Sequence, residues 1–210
     1  MIKEYSVAYN DEENVQWDEV EGALIKTSLR GENRYQTEAV GKIVYNTKGL
    51  RVFMKAYEQH IHATHIDLNS DVCRDSCLEF FIKPNADDPR YLNFEFNPFG
   101  ALLIGIGSSA YDRRRLDEIN PEVFHIQTRL FSEGERNCWS VSFEIPNEVM
   151  AYLINYKIPI KKLKGCGMTC NFMKCGNHGD KAHFLVWSEN GDSSEGFHNS
   201  KLFGKLHFSV

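Results

Sequence analysis

Glu79 and Glu95 are the residues of this chain whose spacing most directly suggests chemistry. Each sits in a stretch that alternates residue by residue, Asp75-Ser-Cys-Leu-Glu-Phe-Phe-Ile-Lys83 and Tyr91-Leu-Asn-Phe-Glu-Phe-Asn97, and the turn-rich Pro84-Asn-Ala-Asp-Asp-Pro-Arg90 joins the two. This pattern predicts a β-hairpin. Leu78, Phe80, Ile82, Leu92, Phe94 and Phe96 fall on one face; Glu79, Phe81, Tyr91, Asn93, Glu95 and Asn97 fall on the other. Symmetric pairing about the turn places Glu79 opposite Glu95. Like charges so placed are destabilising unless a cation, a proton or a ligand hydroxyl separates them. The first face is a core wall and the second a candidate binding face.

Two carboxylates roughly 5 Å apart match the nucleophile and acid of retaining glycosidases. The same pair equally suits accepting hydrogen bonds from sugar hydroxyls or coordinating calcium. A second candidate is Cys166-x3-Cys170-x4-Cys175-x2-His178-x4-His183, which holds enough sulfur and imidazole for zinc. Its spacing departs from the tight cysteine pairs of structural zinc sites. Cys170 and Cys175 would also point to opposite faces of a strand, so buried free thiols are the ordinary reading. His60, His62 and His65 read as a surface group near Glu58 and Asp67. No G-x-S-x-G elbow or Gly-rich phosphate loop is present, so neither a serine hydrolase nor a nucleotide cofactor is implied.

Aromatic rings invite a sugar-stacking role, because a ring covers the apolar face of a pyranose while polar groups fix its hydroxyls. Trp139 alternates with core residues, and Trp17 reads as a core anchor ahead of the first strands. Trp187 ends a strand and is ambiguous. Phe81, on the polar face, and Phe197, in a turn-like stretch, are the better stacking candidates.

These residues need a β scaffold. Strands are predicted over 40–45, 50–57, 78–83, 91–97, 102–106, 123–130, 139–145, 169–174, 183–187 and 202–208, with one short helix over 147–154 after Pro146. Short alternating strands with turns between them point to an all-β, antiparallel, jelly-roll-like sandwich forming one domain over 1–210. The polar segment 108–121 reads as a solvated loop, or as one carrying Arg113, Arg114 and Arg115 to the polar face. With 42% hydrophobic and 12% aromatic residues, the 210-residue chain can fill a core. A net charge of −5 and a single basic cluster flanked by acids argue against nucleic-acid binding. No apolar run suits a membrane span or a secretory leader, so the chain as given is expected in the cytoplasm with reduced cysteines; a trimmed leader would make it extracellular.

Taken in order, Trp17, Asp75-Ser-Cys-Leu-Glu-Phe-Phe-Ile, Asn93-Phe-Glu-Phe-Asn, the W-x-V-x-F-x-I-P strand ending at Pro146, Asn171-Phe-Met-Lys-Cys-Gly, His183-Phe-Leu-Val-Trp-Ser and Phe197-His-x4-Phe-Gly-x-Leu-x-Phe208 resemble carbohydrate-binding module family 9 and its short stand-alone relatives. The resemblance covers nearly the whole chain. It implies a non-catalytic β-sandwich of the kind that accompanies xylanases, binds sugar reducing ends and contains structural calcium. It also implies a site where two tryptophans sandwich the sugar while a glutamate, an arginine and amides bond its hydroxyls. By motif, the glutamate is Glu79 and an amide is Asn171. This chain departs elsewhere: Cys73 and Phe197 stand at the tryptophan positions, and Glu95 stands at the arginine position. Arg113 to Arg115 and Lys174 are the candidate sources of the missing positive charge. The expectation is a carbohydrate binder, for a mono- or oligosaccharide such as a xylan or glucan fragment end, using Glu79, Phe81, Glu95, Asn97, Asn171, Lys174 and Phe197. A hydrolase acting through Glu79 and Glu95, and a protein-interaction sandwich without a sugar site, are the alternatives.

Overall fold

The computed structural model describes residues 2–29, 35, 37–154, 167–177, 182–189 and 196–209. Its elements are β1 Glu4–Tyr9, β2 Ala23–Ile25, β3 Thr27–Ser28, β4 Glu38–Tyr45, β5 Gly49–Tyr57, β6 Cys77–Lys83, β7 Tyr91–Phe96, β8 Leu102–Gly107, β9 Arg114–Arg115, β10 Gln127–Glu133, β11 Arg136–Pro146, α1 Asn147–Ile154, β12 Thr169–Gly176, β13 His183–Val186 and β14 Gly204–Ser209. Hydrogen bonding runs β10-β11-β5-β4-β1-β14-β12-β6-β7-β8-β9, with β13 beside β12 and β3, and β2 beside β4.

The sheet curls so that its two halves face each other. Phe80, Phe94 and Phe96 from β6 and β7 meet Phe143 of β11 at ring-centroid distances of 6.1, 5.5 and 4.6 Å, although these strands are remote along the sheet. β12 packs closely on β4: a Cβ at Gly41 would overlap the Phe172 ring. Burying these rings supplies the main drive for closure, at about 25 cal/mol per Å² of apolar surface removed from water.

The sheet is mixed rather than purely antiparallel. β1 runs parallel to both of its neighbours, β4 and β14. A parallel neighbour needs a long crossover, which residues 10–37 provide between β1 and β4. The alternation of Tyr5 and Val7, both buried, is the signal for β1 that the sequence reading passed over. The strand expected over 123–130 begins later, because Pro121–Phe124 forms a 3-10 turn capped by Asn120 Oδ1, which accepts from Glu122 N at 3.1 Å. Proline suits the first turn of a helix and delays the extended conformation. Among the described residues no helix is long and apolar enough to cross a membrane.

Candidate functional site

The outward faces of β6, β7 and β12 form a floor. Glu79 lies directly opposite Glu95 on β7 and Met173 on β12; Cys77 lies opposite Cys175, and Asn93 opposite Gly105 on β8. The symmetric turn therefore delivers the carboxylate pair. Both carboxylates are buried, at 3% and 2% exposure, because loops cover much of this face.

Two devices let the acids coexist. Arg113 Nη1 donates to Glu95 Oε1 at 2.6 Å, and Asn93 Nδ2 donates to the same oxygen at 3.0 Å. Glu79 Oε1 accepts only a thiol hydrogen bond, from Cys175 Sγ at 3.0 Å, among the described residues. Burial, reinforced by Cys175 and Glu95, pushes the Glu79 carboxyl well above the usual carboxylate range. Burial also raises Glu95, but Arg113 opposes it. The arrangement favours the neutral form of Glu79 beside a Glu95 held by Arg113, which eases the like-charge conflict.

Arg113 reaches the floor because its loop is tied down. Asp112 accepts from the backbone N–H groups of Ser108 and Ser109 and from both hydroxyls. Gly105 then leaves room for the arm: a Cβ there would sit 2.7 Å from Asn93 Oδ1 and 3.1 Å from Arg113 Cγ and Cδ. Asn93 Oδ1 is buried with no partner among the described residues, the kind of acceptor that a ligand hydroxyl can satisfy.

Above the floor is a cavity of about 410 Å³, with Cys73, Glu79, Glu95, Arg113, Cys175 and Phe197 among its lining. Phe197 backs onto Phe184, with ring centroids 6.0 Å apart, and Tyr111 stands 97% exposed at the rim. His198 also borders the cavity and shares a 2.8 Å hydrogen bond with the Tyr91 hydroxyl. A larger groove of about 1030 Å³ runs over β5, β10 and β11 on the far half of the sheet. Trp17 lines it, half-buried and stacked on Phe53, so it is not the core anchor expected. The smaller cavity holds the buried carboxylates, which makes it the stronger site.

Of the sequence candidates, Glu79, Glu95 and Phe197 meet in the cavity, and Arg113 joins them. The other four stand elsewhere. Phe81 is fully buried, stacked on Tyr91 at 5.6 Å and covered by His198 and Phe203, so it offers no free face to a sugar. Asn97 spends its amide on His65 O, Asp75, Phe99 N and Ala101 N, clasping the loop after β7. Asn171 exchanges two 2.9 Å hydrogen bonds with the backbone of Ser188. Lys174 points to the opposite face of β12, in register with Cys170 and Phe172, and pairs with Glu58 at 2.9 Å.

Cys170 lies in the core and Cys175 on the cavity floor; Cys166 and His178 fall outside the described residues. His183 approaches Lys174 Nζ at 3.0 Å. His62 and His65 flank Asp75 at 3.8 and 3.1 Å, and His60 is exposed. Among the described residues, one cluster has three metal-capable side chains: Cys77, Glu79 and Cys175. Its two sulfurs do not fit calcium, which takes six or more oxygen ligands. Cys77 and Asn93 escaped the sequence reading as site residues, although alternation alone places Cys77 on the face of Glu79.

The family model for carbohydrate-binding family 9 matches residues 9–208. A solved structure from Bacteroides uniformis, described as a "putative carbohydrate-binding protein", is 26% identical with a TM-score of 0.78, covering 100% of both chains. A family 9 module from Caldicellulosiruptor kristjanssonii in complex with cellotriose is 16% identical with a TM-score of 0.60, covering 99% of this chain and 94% of that one. The glucose complex of a family 9 module from the same organism is 15% identical with a TM-score of 0.61, covering 99% and 96%. These two likenesses concern the fold alone. No curated protein matches the chain. With a family match that runs from the end of β1 to the end of β14, this chain belongs to carbohydrate-binding family 9.

Proposed function

We propose that the cavity binds the end of a saccharide, a mono- or oligosaccharide of the glucan or xylan type, without catalysing its hydrolysis. The observation that carries this reading is the polar floor at the base of a cavity with an aromatic wall. A neutral Glu79 can donate as well as accept, the Arg113–Glu95 pair supplies both signs, and Asn93 Oδ1 is an unused acceptor. Phe197 offers the apolar side that a pyranose face needs. Family membership and solved relatives described with cellotriose and glucose support the ligand class. With Cys73 where a second aromatic wall would stand, one stacking contact is lost, and the affinity should lie below that of a two-walled site.

Calorimetric titration with glucose, xylobiose, cellobiose and their alditols tests the reading. Saturable heat is expected for at least one sugar. Glu79→Ala should weaken binding about tenfold or more, the equivalent of one hydrogen bond to a buried group. Silence across the panel with a folded protein would sink it. The second reading is a retaining hydrolase, which the unequal proton demand of Glu79 and Glu95 favours, since an acid and a nucleophile are separated in this way. Arg113 and Asn93 already occupy Glu95 Oε1, which weakens it as a nucleophile. Turnover of an aryl glycoside that vanishes in both Glu79→Gln and Glu95→Gln would establish this alternative instead.

A further inference from the structure

We propose that the cavity floor is also a binding site for a thiophilic divalent cation of the zinc class, held by Cys77 Sγ, Cys175 Sγ and a carboxylate oxygen of Glu79. This goes beyond saccharide binding and does not rest on it. Cys77 and Cys175 are directly opposed on the antiparallel pair β6–β12, and Glu79, two residues along β6, shares their face. The three donor atoms lie within 4.8 Å of one another and all three side chains are buried. Around a tetrahedral zinc with bonds of about 2.0–2.3 Å, neighbouring ligand atoms are separated by roughly 3.3–3.8 Å. Modest side-chain rotation therefore closes the cluster on a metal.

The donor chemistry selects the ion. Two sulfurs and one oxygen suit zinc and its neighbours and disfavour calcium or magnesium, which take oxygen ligands. Glu79 and Cys175 line the cavity, so an ion can reach the cluster without opening the sheet. Three protein ligands leave a fourth position facing the cavity, open to water or to a ligand oxygen. As the metal–ligand bonds form, the two thiol protons and the carboxyl proton of Glu79 pass to solvent, so the metal-bound Glu79 is a carboxylate. The strand pairing also explains why the cysteine-rich stretch after residue 165 does not look like a zinc motif: the partner of Cys175 comes from β6, far away in the chain.

Cobalt(II) titration of the reduced, metal-free full chain is the test. The expected result is one equivalent bound, with a near-ultraviolet sulfur-to-cobalt charge-transfer band and visible bands of tetrahedral intensity, all displaced by zinc. Cys77→Ser and Cys175→Ser should each abolish the charge-transfer band or weaken binding about 100-fold or more, whereas Cys138→Ser leaves it unchanged. Because buried cysteine variants can fail to fold, zinc-induced thermal stabilisation is read in parallel on the wild type and on the near-isosteric Glu79→Gln. A rise in the melting midpoint that shrinks in Glu79→Gln supports the site. A folded wild type with no charge-transfer band, or a band of unchanged affinity in Cys77→Ser, overturns it.

Discussion

Two buried carboxylate systems stand on opposite faces of β12, and they are finished differently. On the core side, Glu58 accepts from Lys174 Nζ at 2.9 Å, Trp139 Nε1 at 2.7 Å and Ser76 Oγ at 2.7 Å. Burial pushes its carboxyl up, but Lys174 and these donors outweigh it and hold Glu58 below the usual carboxylate range. On the cavity side, Glu79 has one thiol partner among the described residues, Glu95 shares one oxygen between two donors, and Asn93 Oδ1 has none. The first network is closed by the protein; the second is left for something else to complete. Buried charge alone therefore does not mark a site, whereas an incomplete set of partners beside a cavity does.

The sharpest way to break this comparison is Lys174→Met. It strands Glu58 without its cation and should cost about 3–5 kcal/mol in urea unfolding. Saccharide affinity of the folded protein should not change. Reduced affinity with full stability would return Lys174 to the site. Arg113→Met is the counterpart on the open side. Arg113 retains 19% side-chain exposure and Glu95 can take up a proton, so the destabilisation should be smaller, about 1–3 kcal/mol, while saccharide affinity falls about tenfold or more. Equal losses of stability in the two variants would erase the distinction.

A third expected effect, also on the open side, is a pH dependence at His198. Burial, and then repulsion from Arg113, lower its pKa from 6.5 to about 4. Between these values the unfolded chain binds a proton that the folded chain does not. Its contribution is thus complete above about pH 6.5 and is lost progressively as the pH falls to about 4. In melting curves across this window, His198→Gln should flatten that part of the decline; an unchanged slope would place the proton elsewhere.

Local alternation made the hairpin and the Glu79–Glu95 register legible in the sequence, and the stop at Pro146 did the same for α1, because each depends on residues close together in the chain. What escaped was set by long-range packing. Phe81 alternates onto the correct face, yet Phe203 and His198, more than a hundred residues later, cover it. Lys174 sits at a position whose parity assigns it to the core, but a lysine flanked by Met173 and Cys175 gives no hint that Glu58 waits there. Asn171 and Asn97 look like ligand amides and instead replace missing backbone partners, since an amide side chain serves either purpose with the same atoms. Arg113 was visible as a charge, and only the fold of its loop shows where that charge lands.

The parallel pairing of β1 with β14 has a mechanical consequence. Glu4 to Ala8 run in register with Lys205 to Ser209 and in the same direction. A pull applied backwards at Glu4 and forwards at Ser209 would slide the two strands lengthwise past each other. Their evenly spaced hydrogen bonds would share the load together, whereas an antiparallel pair held at its open end would peel apart one rung at a time. Under tension between these points, the molecule should resist as a seam under shear rather than unzip.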